Sequence, residues 1–269
     1  DILSHDSKIY DIIKKELLYL KEKYGDERKT VIENERMEIL PEDLIKDESV
    51  ILTLTNKGYV KRMEVSKYKA QKRGGKGVAS QNTIEDDFVV SIDSATNLDT
   101  LMIFTNQGRV FNLKVYEIPE SSKQSRGKLI SNIIRIREDE KIRAVIKTRD
   151  FSSENEVVFV TKEGLIKKTN LNEFKNINNS GLKAIKLKPE DDIIYVGLIE
   201  EIDKEELLLA TKLGQSIRFG SDNVRATGRD TMGVKAITLK EGDSVVSAML
   251  IKDRDGMILT MTENGYGKR

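Results

Sequence analysis

The chain has 269 residues, 38% hydrophobic and 34% charged, and its 46 basic and 45 acidic side chains leave a formal net charge of +1. That balance supports many small packed sheets better than one thick globule, and taken alone it argues against a nucleic-acid binder, which usually carries excess positive charge. The lack of cysteine excludes disulfides and thiolate metal sites, no apolar run approaches a membrane span, and residues 1–6 have no secretory pattern, so the chain reads as soluble and cytoplasmic.

In chain order, the first element is a helix. Ile9, Ile13, Leu17, Leu20 and Tyr24 recur at helical spacing between charged residues, with Ser7 as the expected N-cap and Gly25 at the C-terminal end. This amphipathic helix either packs on its own domain or ends a helical segment of a neighbouring one, with residues 26–30 as the exit. The expected division is a helical linker over residues 1–32 and an all-β domain over residues 33–269.

From about Val31 the pattern changes to strands. Ile51–Arg62 is the first of five copies of an apolar run, then Thr-x-x-Gly, then a second run carrying basic residues. Gly58, Gly108, Gly164, Gly214 and Gly265 mark the copies, and glycine supplies the positive φ that a tight hairpin needs. Gly77, Gly127, Gly181 and Gly233 open a second half of each unit, followed by a short strand, an acidic turn and a further apolar strand. Four strands in about fifty residues is the pattern of propeller blades. Five repeats begin, and the last is cut short.

Blades are related by rotation, so equivalent positions share one ring. Lys57, Lys61, Arg62, Lys67, Lys69, Lys72, Arg73 and Lys76 fall in the first hairpin and its loop, and Lys167, Lys168, Arg218, Arg225 and Arg229 repeat the theme more weakly. The acidic residues gather in the other turn. A near-neutral chain is therefore expected to carry a basic belt on one ring and an acidic one on another, suited to a bent polyanion such as duplex DNA. An ordinary solvated surface is the alternative.

Gln71, Lys72, Arg73, Gly74, Gly75, Lys76 and Gly77 form a loop whose glycines open the backbone N–H groups to an anion and whose cations neutralise phosphates. No Gly-Lys-Ser or Gly-Lys-Thr follows, so this is not a nucleotide-triphosphate loop. The segment resembles the box motif of the C-terminal, DNA-wrapping domain of bacterial DNA gyrase A, Gln-Arg-Arg-Gly-Gly-Lys-Gly, with Lys72 in place of the first arginine. Residues 24–30, 58–61, 115–119 and 264–269 also match familiar segments of that family.

The resemblance implies a β-pinwheel, a propeller-like array in which neighbouring four-stranded blades exchange strands and a basic perimeter wraps duplex DNA. It implies a domain without catalysis, cofactor or metal of its own, within an ATP-dependent type II topoisomerase. Its partners are then duplex DNA, the N-terminal domain of the same polypeptide and the ATPase subunit of an A2B2 holoenzyme, with no membrane partner and a monomeric isolated domain. Arg109, Arg126 and Lys128 join the cations above as expected DNA contacts. The single histidine, His5, reads as a surface residue, and the paired carboxylates read as solvated turns. Two other readings stand beside this one: the matching domain of the decatenating topoisomerase IV, and a protein-binding propeller adaptor.

Overall fold

The structure is a computed structural model and describes residues 5–30, 41–67, 83–122, 124–152, 154–201 and 204–269. The chain divides into two compact units, Asp1–Leu44 and Ile45–Arg269.

In the first unit, helix α1 spans Asp6–Tyr24. Its N-cap is His5 and not Ser7, which lies inside the first turn, where the acidic Asp6 complements the helix dipole. The Lys8 N–H donates to the His5 carbonyl at 3.0 Å. Gly25 closes the helix, but in an extended conformation at φ −70°, with its N–H on the Lys21 carbonyl. The apolar stripe is present, and no residue of α1 is buried.

The second unit is a series of antiparallel sheets, one for each repeat. Strands β1 (Ser49–Thr55), β2 (Tyr59–Glu64) and β3 (Val89–Thr96) begin the first. Strands β4 (Thr100–Thr105), β5 (Arg109–Lys114), β6 (Lys128–Leu129) and β7 (Ile142–Thr148) come from the second repeat. The third supplies β8 (Glu156–Thr161), β9 (Leu165–Asn170), β10 (Leu182–Lys183) and β11 (Ile193–Ile199). The fourth supplies β12 (Glu206–Thr211), β13 (Ser216–Gly220), β14 (Val234–Lys235) and β15 (Val245–Ile251), and β16 (Thr260–Met261) pairs with β17 (Gly267–Lys268) in the fifth.

The strand orders are β3-β1-β2-β6, β10-β5-β4-β7 and β11-β8-β9-β14, with a three-stranded β13-β12-β15. In the second, third and fourth repeats, the short strand after the second glycine therefore pairs with the hairpin of the repeat before it. This is the strand exchange that the resemblance implies.

The five hairpins share one turn. The glycine N–H donates to the threonine carbonyl three residues earlier at 2.9–3.0 Å in every copy, from Gly58 on Thr55 to Gly265 on Thr262. In the first, third, fourth and fifth hairpins the threonine hydroxyl accepts the N–H that follows the glycine, as in Tyr59 to Thr55 at 3.0 Å and Gln215 to Thr211 at 3.1 Å. All five glycines have φ between +73° and +84°.

The core lies between consecutive sheets in three clusters. Side chains alternate across a strand. Leu101 and Ile103 of β4 pack towards the first blade, while Met102 and Phe104 pack towards the third. On β8, Val157 and Phe159 face the second blade and Val158 and Val160 the fourth. Both strands are thus buried on both faces. Phe104 meets Phe159 edge-on at 5.3 Å between ring centroids.

One edge of each sheet lies against its neighbour: β11 contacts both β7 and β15. Arg143 Nε donates to Asp192 Oδ1 at 3.0 Å, and the Leu250 N–H donates to the Tyr195 hydroxyl at 3.3 Å across these seams. The exchanged strand occupies the opposite edge of each four-stranded sheet.

Candidate nucleic-acid interface

The hairpin turn of each blade is joined to the acidic turn of the same blade. Asp87 Oδ1 accepts the N–H groups of Lys57 and Phe88 at 2.9 and 3.0 Å. Asp191 Oδ1 does the same for Glu163 and Asp192, and Asp243 Oδ1 for Leu213 and Ser244, all at 2.9 Å. In the second blade the longer Glu140 takes this role, accepting the Thr105 hydroxyl at 2.5 Å and Arg109 Nη1 at 2.8 Å. This corrects the expected separation of basic and acidic rings. A tight turn leaves backbone N–H groups that need acceptors, and a carboxylate from the neighbouring turn supplies them.

These contacts set the charge states. Burial raises the pKa of Asp87, but the N–H groups of Lys57 and Phe88 and the Thr55 hydroxyl outweigh it, so the carboxyl sits below its ordinary value. Asp243 follows the same balance, held down by the Leu213 and Ser244 N–H groups and the Thr211 hydroxyl.

The expected DNA contacts separate into three groups. Lys61, Lys167 and Lys168 are buried, with 1%, 1% and 2% of their surface exposed, and this removes them from direct contact with DNA. Lys61 Nζ donates to the carbonyls of Ser122 and Ser125, and Lys167 Nζ to those of Ala184 and Arg229. Lys168 pairs with buried Glu156 at 2.5 Å. Burial pushes the Lys167 pKa down to about 8.

A second group is reachable but tied to protein partners. Arg62 Nε donates to the Ile118 carbonyl at 3.0 Å. Arg109 pairs with Glu140, stacks on Phe111 at 4.8 Å and bonds the Ser180 carbonyl. Arg218 pairs with Glu206, and Arg229 with Glu173 at 3.5 Å. Lys57 is exposed, and its ammonium donates to the Glu85 carbonyl at 2.7 Å.

The third group, Arg126, Lys128 and Arg225, is exposed and lies in or beside the loops that feed the exchanged strands. Arg126 sits over the Tyr59 ring at 5.7 Å. Lys235, exposed on β14, belongs with them, while Lys183, exposed on β10, is paired with Asp230 at 2.6 Å, and reasoning from sequence omits both as DNA contacts. Each lies two residues beyond a second-half glycine, which is the signal that could have found them. Lys183 pairs opposite Arg109 and Lys235 opposite Leu165, whereas Lys128 pairs opposite Val60, one position out of step and so on the other strand face. Lys69, Gln71, Lys72, Arg73, Gly74, Gly75, Lys76 and Gly77 lie outside the described residues.

Lys128, Lys183 and Lys235 sit on the sheet edge remote from the inter-blade seams. Comparison with known proteins places the architecture. A family model described as DNA gyrase C-terminal domain, beta-propeller, matches residues 49–96, 99–149, 155–200, 205–252 and 256–269, one segment per repeat. DNA gyrase A of Helicobacter pylori is 41% identical over 269 residues, covering 100% of this chain and 32% of that protein. DNA gyrase A of Staphylococcus epidermidis is 40% identical over 272 residues, covering 100% of this chain and 30% of that one. The chain thus spans about a third of the length of these relatives.

Among solved structures, the C-terminal domain of a DNA topoisomerase IV superposes with a TM-score of 0.69 at 34% identity, covering 84% of this chain and 68% of that one. A DNA gyrase A C-terminal domain gives 0.66 at 30% identity, covering 82% and 70%. With a family match in every repeat and identity to gyrase A along its whole length, the chain belongs to the DNA gyrase C-terminal domain beta-propeller family.

Proposed function

We propose that this domain binds duplex DNA through its phosphates, bends it and wraps it, and carries out no bond chemistry itself. In a gyrase, the N-terminal domain of the same polypeptide and the ATPase subunit of an A2B2 holoenzyme would convert the wrapped crossover into negative supercoils. Residues 1–32 would link the wrapping domain to the preceding one, and the assembly would work in the cytoplasm. No helix among the described residues is long and apolar enough to cross a membrane.

One observation carries the reading. In consecutive blades, the sheet edge away from the seams presents exposed cations, Lys128, Lys183 and Lys235, on or beside glycine-opened loops. Lysines spaced from blade to blade suit a polyanion that follows the edge, and family membership agrees with that partner. Contacts to phosphate carry little sequence information, so specificity rests on how easily the duplex bends.

A second reading, the corresponding domain of topoisomerase IV, is favoured by the TM-score of 0.69 to a domain of that name. Such a domain would bind DNA but wrap it poorly.

Titrating the chain with linear duplexes of unrelated sequence, over a range of salt concentrations, tests the binding claim. Affinity is expected to fall linearly on a log–log plot, with a similar slope for each sequence. Salt-independent binding, or strong preference for one sequence, would contradict it.

A further inference from the structure

Lys61 and Lys167 occupy the third position after the turn glycine in the first and third hairpins, and both side chains are buried. The same position is Phe111 in the second hairpin and Ile217 in the fourth. The slot therefore accepts an apolar side chain, and an ammonium there is a costly choice unless it does something more.

The acceptors show what that is. Lys61 Nζ donates to the carbonyls of Ser122 and Ser125 at 3.2 and 3.1 Å, in the loop of the second repeat. Lys167 Nζ donates to the Arg229 carbonyl at 2.6 Å, in the loop of the fourth, and to the Ala184 carbonyl at 2.6 Å.

Both loops run the same course over their lysine. Each enters beside the residue after it, through the bridges Arg62 to Glu120 and Lys168 to Ala226. The Ser121 N–H bonds the Arg62 carbonyl at 3.0 Å, and the Thr227 N–H bonds the Lys168 carbonyl at 2.8 Å. Each loop leaves through a glycine pressed on the strand: a Cβ on Gly127 would lie 2.5 Å from the Val60 carbonyl oxygen, and one on Gly233 2.3 Å from that of Ile166.

The loop of the third repeat differs. It is tied by Asn112 Nδ2 to the Phe174 carbonyl at 3.3 Å and by the partly exposed Arg109 guanidinium to the Ser180 carbonyl. Among the described residues no buried ammonium lies beneath it, and its glycine, Gly181, meets the Phe111 ring instead of a carbonyl. From residue 175 to 180 it reads Lys-Asn-Ile-Asn-Asn-Ser, with one cation and no arginine. Among the described loops, the lysine-held ones are those that carry arginines, Arg126 in the second repeat and Arg225 and Arg229 in the fourth.

We propose that Lys61 and Lys167 are positioning residues for duplex DNA, each holding from beneath the arginine-bearing loop of the following repeat. The loops of the second and fourth repeats are then the firm phosphate contacts, and that of the third is a weaker one. Neither lysine touches DNA. The inference rests on the duplex-binding reading above.

Lys167→Met in the full chain keeps the unbranched apolar stem of the side chain while removing its donors, and Phe111 and Ile217 fill the equivalent slots of other blades with apolar side chains. Duplex affinity near 0.15 M salt is expected to fall about fivefold for each phosphate contact released, with the salt slope shallower by about one unit. Hydrogen exchange should quicken at residues 225–232 and stay unchanged in β8 and β12. Adding Arg225→Ala and Arg229→Ala to Lys167→Met should cost much less than the same pair costs in the unaltered chain. Lys61→Met is the parallel variant, read at residues 124–127, and carries the test if Lys167→Met does not fold. Unchanged slope and unchanged exchange, or a fully additive loss with the two arginines, would overturn the proposal. If the unaltered chain shows no salt-dependent duplex binding, the duplex reading fails, while hydrogen exchange still reports whether the lysines hold their loops.

Discussion

At Gly108 the hairpin turn leaves no room for a side chain. A Cβ there would sit 2.4 Å from the Ile185 carbonyl oxygen, on a residue already at φ +73°. Gly214 has a similar φ of +80°, but nothing lies within 4 Å of its Cβ position. Gly214→Ala should therefore lose about 1 kcal/mol, the cost of a left-handed conformation alone, and Gly108→Ala about 3 kcal/mol or more. Urea unfolding of the two variants, at comparable m-values, measures the difference.

The clasp aspartates predict an acid limb. The folded pKa of Asp243 lies below its unfolded value, so its stabilisation is complete above about pH 4 and is lost as pH falls through the folded value. The stability gap between the unaltered chain and Asp243→Asn should close as pH drops below about 4. Lys167 runs the other way. Burial depresses its folded pKa to about 8, with Glu173 and Asp230 opposing and Arg229 and Lys183 adding to the fall. The unfolded chain then holds more protons between about pH 8 and 10.4, so the unaltered chain should gain stability over Lys167→Met across that window. A gap that does not change with pH would show that the ammonium is not buried as described.

At this scale the turn was legible in the sequence, because Thr-x-x-Gly fixes both a positive φ and a pair of hydrogen bonds. The buried lysines were not. Strands β2 and β9 are covered on both faces, so alternation carries no information there, and a basic residue reads as a surface residue by default.

Among the elements, the exchanged strands were the least readable. Strands β6, β10 and β14 are two residues long, too short for a period, and what defines them is the glycine loop in front and the hairpin of the previous repeat. The acidic turns were placed correctly in the chain but taken as solvated. One carboxylate of each turn, Asp87, Glu140, Asp191 or Asp243, instead binds the hairpin turn, and only the folded geometry brings the two together.

The distinction between exposed and buried cations gives a test. Lys235→Ala or Arg225→Ala should lower the salt slope of duplex binding by about one unit and leave stability within about 0.5 kcal/mol. Lys168→Ala should leave Glu156 buried without its partner, costing about 3 kcal/mol of stability. Equal effects of the three substitutions on the salt slope would refute the assignment.

In the second unit, the repeats are joined in series by shared cores, seam contacts and exchanged strands, so each of the first three blades is completed by the one that follows. The sequence announced the repeats through five glycines at roughly fifty-residue spacing, and the exchange of strands only through the family resemblance. It also marked the first repeat as different, since that repeat alone carries Gln71 to Gly77. Replacing Lys72, Arg73 and Lys76 with alanine should abolish wrapping while circular dichroism and thermal unfolding stay as in the unaltered chain. Full wrapping by that variant would move the function to the other loops.

The central claim is that the domain wraps DNA and does not only bind it. Nicked circular DNA ligated with the chain bound, then stripped of protein, reports wrapping as a change in linking number. A shift that grows with protein per circle and vanishes at high salt is the predicted result. Saturating, salt-sensitive binding with no change in linking number would contradict the wrapping claim and leave the topoisomerase IV reading in its place.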